Sequence, residues 1–385
     1  MTTSFPMSGD GSEAAGSFVS DLVTELAEHA SMRVVAPGAA DGRERWSPDI
    51  EIFRYAAPSR PLSTLKLWNP ADAVRIFKVL AAGNRATREA TSMGATTHVL
   101  ALWALPSGAW ARAASRVAGV RYSIWALGSD IWTWGKVPWV RRRLRGVLQD
   151  ADGLFADGIA LARDTRAIAG REVTFLPSSR AIAPTGDRAP AVAPPYRLLF
   201  LGRWHANKGV DLLLDALDLL DASDWARIAS VDIAGGGPME SQVRQRVAHM
   251  RALGLPVEAS GFLDKAAAAL AFERSDWLLI PSRIESIPVV YSDAMKLGRP
   301  VIAMPVGDLP ALVRDAETGI CAAGVSAPMF ARAIRSALDC SPASFAMQLQ
   351  AMAHRFSLRE AIVPSILELV RIAGATPAAA PPRGA

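Results

Sequence analysis

The sequence predicts an α/β protein made of two Rossmann-like parallel-sheet domains facing a cleft. Three observations lead there. The chain has 385 residues, more than one hydrophobic core usually serves. Short continuous apolar runs alternate with longer helical patterns, as expected of strands covered on both faces by helices. A Pro/Ala-rich stretch without apolar periodicity, AIAPTGDRAPAVAPP at 181–195, interrupts that alternation and reads as a linker.

In the first half MRVVAP, DIEIFRYAA, THVLALWAL, RYSIWALGS and the short GLFADG read as strands. SFVSDLVTELAEH and ADAVRIFKVLAAGNRATREA between them carry the helical spacing. The first helix starts near Ser17, yet a domain of this kind normally opens with a strand of about five or six residues. Residues 2–5 supply only the tail of one, so a shortened first strand is expected, with the chain start set too late. After the linker, YRLLFLG, SVDIAGG, DWLLIPS and PVIAMPV read as strands, and GVDLLLDALDLL, PMESQVRQRVAHMRALG and FARAIRSALDC as helices. The expected layout is an N-terminal domain over 1–180, the linker at 181–195 and a C-terminal domain over 196–352. A C-terminal helix over 353–373 packs back on the N-terminal domain, and ATPAAAPPRGA closes a disordered tail at 374–385. Ligands of open parallel sheets bind at the carboxyl ends of the strands, which here face the cleft.

Composition narrows the function classes. Hydrophobic residues make up 50% and charged ones 21%, a globular balance rather than a disordered one. No apolar run approaches the ~18–20 residues of a membrane span, and the N-terminus lacks the basic and apolar regions of a secretory signal. A cytoplasmic protein is expected. Cys321 and Cys340 fit neither a disulfide framework nor a metal cluster. There is no Asp-x-Asp motif and no His/Cys cluster suited to a divalent ion, so neither metal nor cofactor is expected. The net charge of +5 is uneven: residues 1–190 hold 23 Lys and Arg against 18 Asp and Glu, and eight of the eleven tryptophans.

Chemistry concentrates in the second half. In YRLLFLGRWHANKGVDLLLDAL a strand ends at Gly202, Arg203 and Lys208 flank a short loop, and Gly209 opens a helix. Two cations five residues apart and a helix N-terminus can converge on one anion, such as a leaving diphosphate. In VDIAGGGPMESQV, Gly236 lies in a glycine turn that lets a ligand approach the backbone; GxGxxG is absent, which argues against a dinucleotide oxidoreductase. A third segment begins with Pro281-Ser282 at a strand end, followed by Glu285 and by Pro288 in the first turn of a helix that holds Asp293. Carboxylates there can accept hydrogen bonds from sugar or ribose hydroxyls, and the amides around Ser286, Ile287 and Val289 point toward a phosphate.

In this order the segments resemble the donor domain of glycosyltransferase family 4, the group 1 type, within the GT-B superfamily. The matching elements are G-R-x4-K-G from Gly202, A-G-x-G-P from Ala234, S-G-F from Ser260 and PS-x2-E-x7-D-A-M-x2-G-x-P-V from Pro281. The resemblance implies that Arg203 and Lys208 hold the diphosphate and that Glu285 contacts the transferred sugar. It further implies that Asp293 binds the ribose and that Phe262–Leu263 meet a uracil- or guanine-type base. It implies transfer with retention, without a metal, from a UDP- or GDP-type donor to a glycan or lipid-linked acceptor, in cell-surface polysaccharide or glycolipid synthesis. Asp293 replaces the family's usual Glu, one methylene shorter.

The first half resembles the family's acceptor domain through Phe5-Pro6, Gly16-Ser17-Phe18-Val19, Trp103-x2-Pro106-x-Gly108 and Gly128-Ser129-Asp130. Gly16 and Ser129 are then expected among the substrate contacts and Asp130 among the catalytic ones. Leu127 stands where the family often has a histidine, and His98 lies where a strand begins. A nucleotide-sugar epimerase or hydrolase, or a non-catalytic binding descendant, would share the cleft. The segment IWTWGKVPWVRRRLRGVLQDA (131–151) brings Trp132, Trp134 and Trp139 before Arg141, Arg142, Arg143 and Arg145. That composition suits an anionic membrane surface on the inner face of the cell membrane, or a helix with core tryptophans and solvated arginines. The basic run is too short for nucleic acid and has no binding fold with it.

Overall fold

The computed structural model describes residues 1–7, 16–58, 69–94, 96–186 and 188–375. Among these, residues 1–7, 16–177 and 359–375 form one compact unit and residues 178–358 a second.

The first unit contains strands β1 (Met32–Gly38), β2 (Gly42–Ser47), β3 (Ile50–Ala56), β4 (His98–Leu102), β5 (Arg121–Ala126), β6 (Gly153–Ala156) and β7 (Thr174–Phe175). Its helices are α1 (Ser17–Ala27), α2 (Pro70–Ser92), α3 (Ser107–Ala118), α4 (Ser129–Trp132), α5 (Pro138–Gln149) and α6 (Ile159–Ala169). A three-stranded sheet of order β1-β3-β2 and a four-stranded parallel sheet β4-β5-β6-β7 result. Met1 and Thr2 join them. The Thr2 amide donates to Val35 O at 3.0 Å, the Leu102 amide to Met1 O at 2.9 Å, and the Met1 ammonium to Leu100 O at 2.8 Å. Two residues thus stand where a central strand would run, and no strand is assigned among the described residues before Ser17.

Helix α1 buries Val19, Leu22, Val23 and Leu26, the i, i+3, i+4, i+7 stripe of an amphipathic helix. Gly16 precedes it at φ 79°, and a Cβ there would lie 2.7 Å from Phe5 Cα, so the chain can turn this close to residue 5 only as glycine.

The second unit is a six-stranded parallel sheet. It comprises β8 (Tyr196–Arg203), β9 (Ile228–Gly236), β10 (Val257–Ser260), β11 (Trp277–Ile280), β12 (Val301–Ala303) and β13 (Gly319–Cys321). Its helices are α7 (Val210–Asp218), α8 (Ala222–Trp225), α9 (Glu240–Ala252), α10 (Lys265–Arg274), α11 (Val289–Lys296), α12 (Ala327–Leu338) and α13 (Ala346–Arg355). The order β10-β9-β8-β11-β12-β13 reverses direction between β8 and β11. That reversal is a topological switch point, where the strand ends leave a crevice. Leu198, Phe200, Val231 and Ile233 point to one face and pack with Leu213, Leu214, Leu217, Phe330 and Ile334.

A last helix, α14 (Val363–Ala375), belongs to the first unit. Leu369 packs on Gly153, where a Cβ would come 2.1 Å from Leu369 Cδ1, and Arg359 pairs with Glu25 and Glu28 beside α1. Residues 376–385 of the expected tail lie outside the described residues.

The parallel α/β class expected from the alternation is found. Strands β2, β7, β10 and β13 escaped the sequence reading. GRERWS and VEAS are polar, and β7 and β13 have only two and three residues, too short or too polar for periodicity to register. The 181–195 stretch forms no helix or strand among its described residues, yet it lies on the second unit. The Thr185 and Gly186 amides donate to the Glu273 carboxylate, Arg188 pairs with Asp276 at 2.8 Å, and the Ala191 amide reaches Asp276 at 2.9 Å. Hydrogen bonds, not apolar periodicity, fix its course.

Candidate functional site

In the second unit, the carboxyl ends of β8 and β11 lie at the switch point, and the loops that leave them are laced together. Gly209 takes φ 69°, and a Cβ on it would fall 1.9 Å from Pro281 O. Only glycine lets the turn into α7 approach the end of β11 this closely. Arg283 completes the junction. Its amide donates to Asn207 O at 2.8 Å, and its guanidinium makes two 2.7 Å bonds to the Asp211 carboxylate. Hydrogen bonding to Arg283 holds the Asp211 carboxyl below the ordinary carboxylate range.

This lacing brings Lys208 against Glu285, whose carboxylate accepts from the Lys208 ammonium and, at 3.0 Å, from the Ser282 hydroxyl. Glu285 keeps 11% of its side-chain surface exposed and Lys208 35%, so both remain reachable. Arg203, at the end of β8, has an exposed side chain. Past Glu285, Gly307 lies at φ 56° beneath the loop, and a Cβ there would meet Glu285 O at 2.2 Å. The Asp308 amide donates to Ser286 O at 3.2 Å. Ser286 is half-buried with no hydrogen-bond partner for its hydroxyl, Ile287 is buried, and Val289 opens α11, which has no side-chain cap. The Tyr291 amide donates to Pro288 O at 2.9 Å, and the amides before it have no acceptor within the helix.

The glycine turn after β9 stands beside β8, with Gly202 level with Gly235 and Arg203 level with Gly236. The three glycines differ in what they permit. A Cβ on Gly235 would strike Gly202 O at 1.9 Å and one on Gly237 would lie 2.8 Å from Trp204 O, whereas one on Gly236 would meet nothing within 4 Å. Gly235 and Gly237 are required by packing, and Gly236 faces open space. Phe262, 56% exposed, and half-buried Leu263 sit in the loop from β10 to α10.

Asp293 is placed differently from the others. It lies in α11 with 0% exposure, and its Oδ2 accepts two 2.7 Å contacts from the Arg180 guanidinium. Lys296 Nζ stands 3.6 Å from Oδ1, which has no hydrogen-bond partner. Nothing in the motif announces Arg180. It lies 113 positions away, and only the folded chain brings it there. Ser282 was legible as a motif member, but its contact with Glu285 was not.

In the first unit, Ser129 is exposed at the start of α4, while Asp130 is 1% exposed and turned inward. Its carboxylate accepts from the amides of Ala104 at 2.5 Å, Gly128 at 3.1 Å and Ile131 at 3.2 Å. Burial pushes its pKa up to about 6 against those amides, which favour the charged form. In this geometry Asp130 clamps the loop after β4 to the loop after β5 and positions its exposed neighbour Ser129. Leu127 is half-buried beside them. His98 bonds Ser123 Oγ at 2.9 Å, and burial lowers its pKa to about 4. It is an interior strand residue.

Parallel strands, a switch-point crevice and a cation–carboxylate pair between glycine-bearing loops define an open-sheet α/β protein with its crevice at the strand ends. Residues 195–340 match the family described as Glycosyl transferases group 1. Two solved structures share the fold. Sucrose-phosphate synthase from Thermosynechococcus elongatus is 18% identical with a TM-score of 0.69, covering 93% of each chain. Anabaena HepE, in complex with UDP, is 17% identical with a TM-score of 0.66, over 94% of this chain and 97% of that one. Both likenesses carry the GT-B fold. Among curated proteins, D-inositol 3-phosphate glycosyltransferase of Corynebacterium diphtheriae is 30% identical over 45% of this chain and 41% of its own. Glycogen synthase of Thermus thermophilus is 33% identical over 37% of this chain and 32% of its own. The chain therefore spans about two fifths or less of these two relatives.

Proposed function

We propose that this protein is a glycosyltransferase that moves a sugar, with retention, from a UDP- or GDP-type donor to a glycan or lipid-linked acceptor. The observation that carries the reading is the Lys208–Glu285 pair at the switch point, between the loops that follow β8 and β11. In transfer, the bond from the anomeric carbon to the diphosphate oxygen breaks and the acceptor oxygen bonds that carbon. The acceptor proton leaves with the diphosphate. Negative charge grows on the departing diphosphate, and Arg203 and Lys208 stabilise it there. No divalent ion is required for that work in this reading, so activity is expected to survive EDTA.

Glu285, oriented by Lys208 and Ser282, accepts hydrogen bonds from the sugar. The amides at Ser286, Ile287 and Val289 meet the phosphates, the backbone at Gly202 and Gly236 lets the donor lie close, and Phe262–Leu263 flank the base. Asp293, buried against Arg180, is left out of the donor contacts. Gly16, Ser129 and the Asp130 clamp belong to the acceptor side. The test combines a thermal-shift screen against UDP, GDP, ADP and their sugars with nucleotide release measured with and without acceptor extract. Acceptor-dependent release supports transfer. Release without acceptor favours a hydrolase, and binding without release a non-catalytic descendant.

A specific observation bears on the membrane. Helix α5 buries Val140, Leu144, Val147 and Leu148 and exposes Arg141, Arg142, Arg143 and Arg145, with Trp139 66% exposed at its start. Trp132 and Trp134 are half-buried, and the Trp132 indole donates to Asp164 at 2.8 Å. One tryptophan and four arginines therefore form the surface that we assign to anionic lipid headgroups, holding the enzyme near a lipid-linked acceptor. No helix among the described residues is long and apolar enough to cross a membrane. Binding to anionic vesicles should fall in an Arg141/Arg142/Arg143→Glu variant; unchanged co-sedimentation defeats this assignment.

A further inference from the structure

In the first unit, α2, α3 and α5 enclose a cavity of about 450 Å³ lined by Arg88, Arg112, Arg116 and Arg143, over an apolar floor that includes Ala113 and Val147. Helical spacing accounts for the convergence. Arg112 and Arg116 stand four residues apart on α3, and Arg143 and Val147 four apart on α5, so each pair shares a helix face. Gly146 makes room for the cluster: a Cβ on it would lie 3.0 Å from Arg112 Nη1, so only glycine leaves the guanidinium its space. Charge around the cavity is unbalanced. Asp150 serves two of the arginines, Arg112 at 2.6 Å and Arg116 at 3.2 Å. Arg88 and Arg143 are exposed and have no carboxylate partner among the described residues. Other arginines of α2 are matched, Arg75 by Asp72 and Arg85 by Asp41. Like charges gathered round one space repel each other, and a single carboxylate does not balance these.

The cavity is separate from the strand ends discussed above. Asp150 caps the end of α5, and two residues on, the Asp152 carboxylate accepts from the Tyr122 amide at 2.9 Å, near the start of β5. The arginines around Asp150 therefore lie toward the amino end of the sheet, whereas Ser129 and Asp130 follow the carboxyl end of β5. We propose that this cavity is a second ligand site, which binds the phosphate of a phosphomonoester. Guanidinium forks match phosphate oxygens in pairs. A phosphomonoester carries close to two negative charges at neutral pH, which answers the two arginines that lack a carboxylate. The phosphate can arrive on a soluble ester or as the headgroup of a phosphomonoester lipid, since Arg143 also belongs to the arginine face of α5.

The test is calorimetric titration of the full chain with inorganic phosphate in about 0.15 M NaCl, where exposed charges are largely screened. Arg88→Gln and Arg143→Gln break no ion pair, so the fold should hold. Each should weaken phosphate binding about tenfold, the loss of one charged hydrogen bond. Arg142→Gln removes the same charge outside the cavity, and Lys208→Ala removes a cation of the second unit; both should leave phosphate affinity unchanged. Equal losses in Arg88→Gln and Arg142→Gln would show general charge attraction and overturn the site. So would a loss in Lys208→Ala with none in Arg88→Gln, or no measurable phosphate binding by the unmutated chain. Vesicles of phosphatidylcholine carrying phosphatidic acid or, at equal charge, phosphatidylglycerol identify the source. A preference for phosphatidic acid that Arg88→Gln abolishes assigns the lipid headgroup, and phosphate binding without that preference assigns a soluble ester. None of these readouts involves the donor, so failure here leaves the proposed transfer standing.

Discussion

Gly235 and Gly236 are adjacent and chemically identical, yet a methyl group added to each meets different surroundings. At Gly235 it would come 1.9 Å from Gly202 O at φ 149°, and at Gly236 it would find open space. Gly235→Ala should cost about 2 kcal/mol or more in chemical denaturation, since strand ends and a disfavoured dihedral must both shift. Gly236→Ala should leave stability within about 0.5 kcal/mol, the usual range for a change with no packing consequence, while weakening UDP binding because the methyl enters the donor's space. Equal effects of the two changes on stability would contradict the packing argument. Lys208→Ala removes the cation assigned to the leaving diphosphate, and kcat should fall by about 10²–10³ with the fold intact. Near-normal turnover in Lys208→Ala or Glu285→Ala would refute the assigned site. The residue types were readable because motif positions such as Lys208 and Glu285 recur in fixed order. Their pairing was not, since 77 positions separate them.

At the scale of elements, the loops that leave the strands are what hold functional groups still. Asp130 illustrates this. Its residue type and place at a strand end suggested a group facing ligand, whereas the carboxylate is turned to the amides of two loops. Asp130→Ala would leave those buried amides without an acceptor and should cost about 2–4 kcal/mol, with Asp130→Asn recovering part of it. A loss within experimental error in the alanine variant would show that the clamp has no mechanical role. Short polar strands escaped the sequence reading for a related reason. A segment such as VEAS becomes a strand because β9 offers it a partner edge, and its own composition does not demand one.

The stability of the whole molecule responds to pH through His98 and Asp130, both in the first unit. His98 has its pKa lowered by burial to about 4, from 6.5. Between those values the unfolded chain takes a proton that the folded chain refuses, so stability rises with pH across that window. The contribution is full above the unfolded value and lost toward pH 4, a change of up to about 3 kcal/mol. Asp130 acts oppositely. Its folded pKa of about 6 lies above the ordinary 3.8, so the folded chain holds the extra proton and stability falls as pH rises through that interval. Thermal midpoints of the parent and His98→Gln should therefore diverge on acidification from pH 7 to 4.5, the parent losing more. Parallel curves would show that His98 is not held neutral.

The sequence by itself determined the parallel α/β class, the order of the glycine- and carboxylate-bearing motifs and the types of group at the candidate site, because these follow from local periodicity and fixed spacings. Tertiary structure decided how those groups are used. It paired Lys208 with Glu285, turned Asp130 inward, separated the packing glycines from the open one and placed Arg180 on Asp293. Each of these depends on contacts between distant segments, where burial and charge compete over a few ångströms. No local pattern in the chain records who wins.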